Sequence, residues 1–351
     1  MIGLILAGGT GTRFWPASRE SMPKQYLNIL GNRSMIRMTV DRLLQKIPIE
    51  KIYVSTTEAQ VKMVQKDIPE LPVRNIIVEP MGMNTAPCIG LSIRYLKRFE
   101  DVNEPVIVLP ADHLIKDEKG FLSSIELAEE PAKNGFHVTF GIIPVYPATG
   151  YGYIEAGDNH TPKMFHVKQF KEKPDHVTAK YFIEQGNFYW NSGQFCWTIA
   201  TILDSFKTKL PAVEELLVKI EKLWDDKGID ADISELYAKM PRIPVDIGIM
   251  EQVEHRIVIP VDYGWSDVGS WRALADLSDS DINGNTFFAD HISLDSRNNY
   301  IRTNKFVAVI DVDELVVVET EDAILITNRK KAELVKNVVN KLKEDKKDNL
   351  L

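Results

Sequence analysis

A short apolar run leads directly into a glycine-rich loop near the start of the chain, in the sequence Leu4-Ile5-Leu6-Ala7-Gly8-Gly9-Thr10-Gly11-Thr12-Arg13. The apolar run predicts a buried strand, and the loop behind it can direct several backbone N–H groups at phosphate oxygens. The loop lacks the GxxxxGKS/T pattern of a P-loop, and it departs from the GxGxxG fingerprint because Phe14 stands where the third glycine belongs. We interpret this segment as the nucleotide-binding end of a strand in an α/β fold.

Short β-branched runs alternate with longer amphipathic stretches through the first half of the chain. The runs predict strands at residues 3–7, 51–56, 75–79, 105–109 and 137–142. Helical periodicity between them predicts helices at residues 34–46, 85–99 and 120–133. This alternation is typical of a parallel sheet covered by helices, in which ligands bind at the carboxyl ends of the strands.

The pattern changes after Pro147 and again near residue 285. Extended segments at residues 150–155, 163–171 and 188–198 mix with helices at 175–185, 199–209, 212–225 and 233–240, which predicts a subdomain built onto the same sheet. Strand-like segments then follow at residues 300–303, 305–311, 315–319 and 323–327, before a helix over 329–347. We expect a large domain over residues 1–280. A small β module over 285–351 should form one or two coils of a β-helix or a small sheet.

Composition narrows the functional classes. Of 351 residues, 50 are acidic and 42 are basic, and the formal net charge of -8 argues against a nucleic-acid-binding surface. No apolar run approaches the roughly 20 residues that span a bilayer, so neither a membrane partner nor a signal peptide is expected. The cysteines Cys88 and Cys196 cannot form a disulfide framework and belong to no metal-binding motif, which favours a reducing, cytoplasmic location.

Two cationic side chains flank the glycine loop, in the segments Arg13-Phe14-Trp15-Pro16-Ala17-Ser18 and Pro23-Lys24-Gln25-Tyr26. Arg13 can clamp phosphate oxygens with two hydrogen bonds, and Lys24 can supply a point charge. The combined pattern GGTGTRFWPxSxxxxPK resembles the signature of the sugar nucleotidyltransferases, and both segments are similar to the mannose-1-phosphate guanylyltransferase branch. The resemblance runs from about residue 2 to residue 272.

The resemblance implies a Rossmann-like nucleotidyltransferase domain with a mixed, mostly parallel sheet, in which residues 147–280 face the sugar. Members of this branch convert GTP and mannose 1-phosphate to GDP-mannose and pyrophosphate, so both substrates are expected here. The catalytic cations would be Arg13, Lys24 and Lys173. The nucleotide would contact Leu6, Ala7, Gly8, Gly9, Thr10, Gly11, Thr12, Arg13, Lys24, Glu79, Pro80, Asn84, Thr85, Ala86 and Asp112.

Recognition of the base is assigned to Glu79 and the segment that follows it. Guanine carries N1–H and N2–H₂ donors, and a carboxylate at the end of the strand over residues 75–78 can accept from them. The resemblance points to the same residue. Two other interpretations stay open, because Glu79 could be an exposed or helix-capping acid and Thr85 could cap the next helix.

Transfer of a nucleotidyl group to a sugar phosphate brings two anions together, so it needs cations and Mg²⁺ more than a nucleophilic side chain. Asp112 follows the strand over residues 106–109, and carboxylate oxygens are the ligands that Mg²⁺ prefers. The second candidate ligand is Asp267, in Trp265-Ser266-Asp267-Val268-Gly269-Ser270-Trp271. The resemblance, and not the spacing, implies that the two meet. We interpret His113 as orienting Asp112, because a phosphate nucleophile is already ionised at pH 7.

The sugar phosphate is expected to bind segments rich in glycine, amide and charged side chains, at Gly150, Tyr151, Gly152, Glu172, Lys173, Asn191, Ser192, Gly193 and Asp246. Glycines let the backbone approach the sugar, and the compact polar turn at residues 191–193 beside Trp190 suits a pyranose ring. By resemblance, Glu172 contacts sugar hydroxyls and Lys173 contacts the sugar phosphate. Asp246 has an alternative role as the cap of the helix that carries Glu251.

The β module carries no catalytic motif, and its apolar strand faces need burial, at Val307, Val309, Leu315, Val317, Ile324 and Ile326. Together with a helix over residues 331–342, these faces predict a homodimer interface or packing on the catalytic domain. The module is too short for the cupin-like isomerase domain of longer members and lacks its histidine cluster, so a single activity is expected. Two other functions stay open: a uridylyl- or thymidylyltransferase for glucose 1-phosphate, and a non-catalytic regulator that binds a sugar nucleotide.

Overall fold

The computed structural model describes residues 1–9 and 11–351, and the chain divides into two compact units. Unit 1 comprises Met1–Gly8, Val40–Ala111 and Ile115–Trp265. Unit 2 comprises Gly9–Thr39, Asp112–Leu114 and Ser266–Leu351. Each unit has its own buried apolar core. Unit 2 thus contains both the glycine-rich loop and the C-terminal part of the chain. The division into units is therefore not a single boundary near residue 280.

Within the described residues, unit 1 is built on a nine-stranded sheet. Its strands are β1 (Ile2–Leu6), β2 (Ile52–Thr57), β3 (Ile76–Glu79), β4 (Pro105–Pro110), β5 (His137–Ile142), β6 (Tyr153–Thr161), β7 (Met164–Lys171), β8 (Phe188–Thr198) and β9 (Arg256–Val261). Its helices are α2 (Val61–Asp67), α3 (Thr85–Leu96), α4 (Glu118–Lys133), α5 (His176–Gln185), α6 (Ile199–Lys209), α7 (Pro211–Lys227) and α8 (Ser234–Tyr237). Helix α1 (Met35–Leu44) begins in unit 2 and ends in unit 1.

The strand order is β3-β2-β1-β4-β8-β5-β9-β7-β6, which confirms the mixed sheet. Strands β1 to β4 are parallel, so their carboxyl ends meet at one edge. Strand β8 inserts antiparallel between β4 and β5, which the pattern of strands and helices does not indicate. The C-terminal half of β8 is fully buried, and an apolar strand of this kind is stable in the interior of a sheet.

A β-bulge interrupts the pairing of β5 with β8. The register shifts between Thr139 and Gly141. A Cβ atom on Gly141 would lie 2.7 Å from the Cβ atom of Tyr189 and 2.7 Å from a methyl group of Val258, so only glycine fits here. The bulge leaves residues 192–194 of β8 outside the regular pairing with β5.

The C-terminal part of unit 2 is a small β-helix, as predicted. Its strands are β10 (Thr286–Phe287), β11 (His291–Leu294), β12 (Tyr300–Arg302), β13 (Val307–Ile310), β14 (Leu315–Glu319) and β15 (Ile324–Asn328). Strands β10, β12 and β14 stack in parallel, β11 stacks on β13, and β15 closes the larger sheet antiparallel. The Asn285 Oδ1 atom accepts from the backbone N of Asn299, and the Asn299 Oδ1 atom accepts from Leu315, which ties successive coils together.

The apolar strand face that was expected to need burial lies outside the core of this module. Its core contains Val316, Val318 and Leu325, whereas Ile324 is 57% exposed and Ile326 is 68% exposed. The strands carry apolar residues on both faces, and a register offset of one residue exchanges the two faces, so the pattern could not choose between them.

The terminal helical segment differs in part from the predicted helix over residues 329–347. It begins as a 3-10 helix at Arg329–Leu334 and continues as α10 (Val335–Glu344). Helix α9 (Trp271–Leu277) was not predicted, and the helical segment expected near Glu251 is a π-helix at Asp246–Met250. No helix in the described part of the chain is long and apolar enough to span a membrane.

Candidate active site

The glycine-rich loop of unit 2 turns sharply at Gly11. Gly11 has φ 58°, in the left-handed region, and precedes a 3-10 helix at Thr12–Phe14. A Cβ atom at this position would lie 2.4 Å from the Cβ atom of Lys24 and 2.8 Å from its backbone N. Glycine is therefore required both by the backbone angle and by the close approach to Lys24.

Lys24 links the two predicted metal ligands within unit 2. The residue is only 5% exposed. Its Nζ atom donates to Oδ2 of Asp112 at 2.9 Å and to the backbone O of Asp267 at 2.7 Å. The ring of Phe14 lies next to the ammonium group, with its centroid 5.6 Å from Nζ. The structure thus brings Lys24, Asp112 and Asp267 together.

Backbone pairing holds the two aspartate segments side by side. The N–H of Leu114 donates to the carbonyl of Ser266 at 2.9 Å, and the N–H of Ser266 donates to the carbonyl of Leu114 at 3.1 Å. These bonds form an isolated antiparallel bridge. Asp112 lies two residues before the bridge on one side, and Asp267 follows it on the other. The bridge is the reason that two residues far apart in sequence become neighbours.

The turn after Asp267 depends on a close backbone approach. A Cβ atom on Gly269 would lie 2.7 Å from Oδ2 of Asp267, and the N–H of Gly269 donates to Oδ1 at 3.1 Å. Val268 has φ 44° and is fully buried in the core of unit 2. A non-glycine residue in this region costs on the order of 1–3 kcal/mol and persists where surrounding structure fixes it, often at functional sites.

The charges around Asp112 keep its carboxyl group ionised. Burial acts to raise the pKa of Asp112, but the positive charges of Lys24 and His113 more than offset this, and the pKa lies below its usual value. The orienting role of His113 stays a prediction. Within residues 1–9 and 11–351, no cluster of three or more His, Cys, Asp or Glu side chains could hold a metal ion.

Polar and aromatic contacts anchor the glycine-rich loop. The Nε2 atom of Gln25 donates to the carbonyl of Gly9 at 2.9 Å. The indole N–H of Trp271 donates to the carbonyl of Trp15 at 3.0 Å, and its ring meets the ring of Phe14 edge-on, with centroids 4.9 Å apart. The loop is therefore part of the same core as α9 and the β-helix.

The phosphate contacts expected of Thr12 and Arg13 stay predictions. Thr12 is half-buried and Arg13 is exposed, both in the 3-10 helix that follows Gly11. An exposed guanidinium can reach a phosphate, so the role of Arg13 stays a prediction. The predicted nucleotide contact of Thr10 lies outside the described residues.

In unit 1, hydrogen bonds fix the end of β1 at Leu6 and the residue that follows it. The N–H of Ala7 donates to the carbonyl of Ser55 at 2.7 Å, and its carbonyl accepts from the hydroxyl of Thr56 at 3.2 Å. The N–H of Ala111 donates to the carbonyl of Leu6 at 3.0 Å. The segments that follow β1 and β4 therefore leave the sheet side by side.

Glu79 lies buried at the same edge of the sheet. The residue is 3% exposed, and its Oε2 atom accepts a hydrogen bond from the hydroxyl of Tyr237 at 2.7 Å. A Cβ atom on Gly8 would lie 2.6 Å from Oε1 of Glu79, so the carboxyl group packs closely against Gly8. The interpretation of Glu79 as an exposed or capping acid is therefore wrong. Pro80, which follows, is half-buried and stays a predicted nucleotide contact.

The segment after Glu79 has structural roles that the sequence did not predict. Asn84 caps α3, because its Oδ1 atom accepts from the N–H of Thr85 at 2.8 Å. Thr85 is not the cap: its hydroxyl accepts from the N–H of Val245 at 2.8 Å. The N–H of Ala86 donates to the carbonyl of Ile243 at 3.1 Å. These bonds hold the chain just before Asp246, and the nucleotide contacts of Asn84, Thr85 and Ala86 stay predictions.

Three predicted sugar-binding segments meet in unit 1. The Nδ2 atom of Asn191 donates to Oδ1 of Asp246 at 2.6 Å, and the backbone N of Asn191 donates to the carbonyl of Gly152 at 2.8 Å. Asp246 begins the π-helix Asp246–Met250, a type of helix frequent at functional sites. It makes no side-chain cap of this helix, so the alternative capping role of Asp246 is wrong.

The predicted polar turn at residues 191–193 is instead part of strand β8. Ser192 and Gly193 lie at the bulge opposite β5, and the Ser192 hydroxyl donates to the carbonyl of Phe140 at 2.6 Å. Gly193 has φ 66°. A polar, glycine-containing sequence is typical of turns, and the interior position of the strand overrides that local preference.

The segment after β7 carries two charged side chains that influence the pKa of Asp246. Burial raises the pKa of Asp246; the hydrogen bond from Asn191 lowers it, and the charges of Glu172 and Lys173 act in opposite directions. Glu172 and Lys173 are exposed and pair with each other at 3.2 Å. The charges of this segment therefore reach the group formed by Asn191 and Asp246.

Aromatic rings line the same part of unit 1. The ring of Tyr151 contacts those of Trp190 and Trp265, with centroids 5.1 and 5.3 Å away. Tyr146 also meets Trp190, at 4.8 Å, and was not predicted, although its place just after β5 at the carboxyl edge could have indicated it. Gly150 is exposed beside this cluster.

Comparison with known proteins identifies the family. The sequence model described as Nucleotidyl transferase matches residues 2–284, and one described as MannoseP isomerase/GMP-like beta-helix domain matches residues 289–342. The chain belongs to the nucleotidyl transferase family. Its fold is accordingly a Rossmann-like nucleotidyltransferase domain followed by a β-helix domain, and members of the family act on nucleoside triphosphates and sugar phosphates.

Curated relatives resemble this nucleotidyl transferase along nearly all of its length. A xanthan biosynthesis protein, XanB, from Xanthomonas campestris pv. campestris is 38% identical over 350 residues, which cover 98% of this chain and 73% of the relative. A mannose-1-phosphate guanylyltransferase from Salmonella muenchen is 38% identical over 356 residues, which cover 99% of this chain and 74% of the relative. The chain thus spans about three quarters of the length of these relatives.

Solved structures share the fold of this nucleotidyl transferase. A protein from Thermus thermophilus, described as a mannose-1-phosphate geranyltransferase, superposes with a TM-score of 0.87 at 31% identity, over 97% of this chain and 99% of that chain. A protein from Helicobacter pylori, described as a mannose-6-phosphate isomerase, superposes with a TM-score of 0.61 at 25% identity, over 75% of this chain and 98% of that chain.

Proposed function

We propose that the protein transfers a guanylyl group from GTP to mannose 1-phosphate, giving GDP-mannose and pyrophosphate. The observation that carries the proposal is the hydrogen-bonded group of Lys24, Asp112 and Asp267, because the reaction needs hard oxygen ligands beside a fixed positive charge. Its similarity to proteins named mannose-1-phosphate guanylyltransferase supports the choice of substrates.

The reaction is a direct displacement at phosphorus. An oxygen of the mannose 1-phosphate phosphoryl group attacks the α-phosphorus of GTP, and the bond from the α-phosphorus to the oxygen that bridges to the β-phosphorus breaks. Pyrophosphate leaves with that oxygen and its electron pair. The attacking oxygen is already ionised, so no general base is required. Arg13 and Lys24 are assigned to the charge of the triphosphate, and Lys173 to the sugar phosphate.

The residues of unit 2 fit a bound Mg²⁺ ion. Mg²⁺ is usually held by one or two carboxylates, with substrate phosphates and water completing the octahedron, so a cluster of three protein ligands is not required. Asp112 is kept ionised by its cationic neighbours, and Asp267 lies within one hydrogen-bonded group with it. We assign the ion to these two carboxylates. When bound, it would neutralise charge that develops on the phosphate oxygens.

The residues of unit 1 are assigned to the base and the sugar. Glu79 would accept from the N1–H and N2–H₂ groups of guanine, for which its position at the end of β3 beside Gly8 is suited. Asn191 and Asp246 present an amide and a carboxyl group side by side, a pattern suited to adjacent sugar hydroxyls. The nearby tyrosine and tryptophan rings offer an apolar surface for the pyranose.

Pyrophosphate release tests this assignment when four nucleoside triphosphates are combined with mannose, glucose and N-acetylglucosamine 1-phosphates, with and without Mg²⁺. We expect GTP with mannose 1-phosphate to give the highest kcat/KM and omission of Mg²⁺ to abolish it. Exclusive use of UTP or dTTP with glucose 1-phosphate would contradict the proposed substrates, and binding without turnover would favour a regulator. Mannose 6-phosphate serves as a further arm, and isomerisation to fructose 6-phosphate would contradict the single activity.

We also propose that the protein is a cytoplasmic homodimer. The apolar faces of α10 at Val335 and Val339 are buried within unit 2, so the helix is not the expected contact. The β-helix instead exposes Ile292 and Leu294 on β11 and Ile310 on β13, at 51%, 51% and 63%. A symmetric contact through this sheet would cover apolar area that is otherwise exposed to water.

Light scattering at micromolar concentration measures the mass directly. We expect twice the chain mass for the unmodified protein and the chain mass for Ile310→Glu. Ile247→Glu, at an exposed apolar position in unit 1, is the control and should not change the mass. A monomer in the unmodified protein would contradict the dimer.

A further inference from the structure

A buried tyrosine holds the carboxyl group that is assigned to the base. Tyr237 ends the short helix α8, is fully buried, and donates its hydroxyl hydrogen to Oε2 of Glu79 at 2.7 Å. The two residues are far apart in sequence, and α8 carries no motif. The other carboxyl oxygen, Oε1, lies on the side of Gly8. One oxygen therefore accepts from Tyr237, while the other lies beside Gly8.

The neighbours of Glu79 are neutral hydrogen-bond donors. The titratable groups that face its carboxyl group are Tyr237 from α8 and Cys88 from α3. Cys88 also contacts Ser55 of β2, with Sγ and Oγ 3.2 Å apart. Burial is the largest effect and holds the pKa of Glu79 above its ordinary value, and the hydrogen bonds from Tyr237 and Cys88 offset this only in part. Burial and coupling to Cys88 and Glu79 hold the pKa of Tyr237 far above its ordinary value, so its hydroxyl remains a donor.

The protonation state of such a carboxyl group decides which purine it fits. Guanine presents two donors, N1–H and N2–H₂, to a group that only accepts, and a carboxylate meets this requirement. Adenine presents an acceptor at N1 and a donor at N6, and a protonated carboxyl group, with one donor and one acceptor, meets that requirement instead. Burial without a fixed hydrogen-bond donor would raise the pKa of such a carboxyl group. It would then favour the protonated form, which is the form that fits adenine.

We propose that Tyr237 is a positioning residue that fixes Glu79 as a hydrogen-bond acceptor and thereby sets the preference of the enzyme for guanine over adenine. The proposal rests on the proposed function, because it assumes that Glu79 contacts the base. It assigns the specificity to a pair of residues and not to Glu79 alone. It also explains why a polar group is placed in the otherwise apolar core around α8.

The Tyr237→Phe variant tests the proposal, because it keeps the ring and removes the hydroxyl. We expect kcat/KM for GTP to fall about tenfold to a hundredfold, which is the range for a lost hydrogen bond to a charged group. The loss should appear in KM for GTP and leave kcat at saturating GTP nearly unchanged. The ratio of kcat/KM for GTP to that for ATP should fall by at least the same factor.

The pH profile separates this role from a structural one. Glu79 accepts from guanine only when ionised, so use of GTP is lost as the pH falls through the pKa of Glu79. Without the hydroxyl of Tyr237 that pKa rises, and the acid limb of the GTP profile should move to higher pH in Tyr237→Phe. Use of ATP should change in the opposite direction with pH. An unchanged limb and an unchanged GTP to ATP ratio would overturn the proposal.

The chain offers a matched control for loss of a buried tyrosine–glutamate hydrogen bond. Tyr53 is also fully buried in unit 1, and its hydroxyl donates to Glu100 at 2.7 Å. Tyr53→Phe should lower the thermal unfolding midpoint as much as Tyr237→Phe does and leave the base preference and pH profile unaltered. A shift of the base preference in Tyr53→Phe as well would also overturn the proposal.

Failure of the inference can be distinguished from failure of the proposed function. If the unmodified protein prefers a pyrimidine nucleotide, the proposed function is wrong, whatever the result for Tyr237→Phe. If it prefers GTP and Tyr237→Phe retains that preference, the proposed function stands and the role of Tyr237 is rejected. Glu79→Gln, which carries a donor and an acceptor at every pH, should lose the preference for GTP without an acid limb. Retention of the preference in Glu79→Gln would show that the base is read elsewhere.

Discussion

Replacing Asp267 with asparagine should lower kcat/KM for GDP-mannose formation by about a thousandfold, because a carboxylate that holds a divalent cation contributes several kcal/mol to the transition state. The amide preserves the shape of the turn, since an oxygen can still accept from the N–H of Gly269. Only the charge is removed. The measurement is pyrophosphate release as a function of Mg²⁺ concentration, and we expect the variant to need more Mg²⁺ than the unmodified protein.

A second aspartate in unit 2 provides the control. Asp279 is exposed, and Asp279→Asn should retain the activity and the Mg²⁺ requirement of the unmodified protein. Asp279→Asn should unfold at the same temperature as the unmodified protein within about 2 °C, since surface substitutions away from buried networks usually cost little. The unfolding temperature of Asp267→Asn is measured beside it, so that activity is compared per folded molecule. Turnover of Asp267→Asn within a few fold of normal at the same Mg²⁺ concentration would contradict the role of Asp267.

Replacing Trp271 with alanine should destabilise the protein by about 3–5 kcal/mol, the usual cost of removing a fully buried tryptophan. Trp271 is fully buried, contacts Phe14 and Tyr300 with its ring, and donates to the carbonyl of Trp15. The same change should release the glycine-rich loop. We therefore expect kcat/KM per folded molecule to fall at least tenfold, although Trp271 contacts no proposed substrate group. Urea unfolding followed by fluorescence gives the stability change.

A tryptophan of unit 1 separates the two effects. Trp224 is 4% exposed in the other core, so Trp224→Ala should cost a similar free energy of unfolding. Trp224 belongs to the core of unit 1, and its ring meets that of Tyr95, which is not assigned to a substrate, so its activity per folded molecule should be normal. Equal activity per folded molecule in Trp271→Ala and Trp224→Ala would mean that the β-helix core does not position the loop.

Local patterns in the sequence were sufficient for most elements of the first half. The first five strands lie close to their predicted bounds because β-branched runs and helical periodicity act over a few residues. The composition and length of a run were enough to predict these features.

Local sequence patterns did not predict the structure where strand pairing or packing in the core opposes the local preference. The polar residues 191–193 have the composition of a turn, yet they lie within β8, because the pairing of a long buried strand outweighs a local preference. In the β-helix both strand faces are apolar, and the buried face is set by the register against Phe14, Trp15 and α9. Neither feature can be predicted from the sequence of the segment alone.

By itself the sequence determined the α/β architecture, the glycine-rich loop and the charged residues around it, because each of these is encoded by local patterns along the chain. It left the C-terminal module open between a β-helix and a small sheet, and the roles of Glu172 and Lys173 came from the family resemblance. The tertiary structure alone decided which of those residues meet. The bridge between Leu114 and Ser266 places Asp112 beside Asp267, and the packing of α8 places Tyr237 on Glu79. These contacts join residues that are distant in sequence, and their geometry depends on the order of the strands, which no single segment carries.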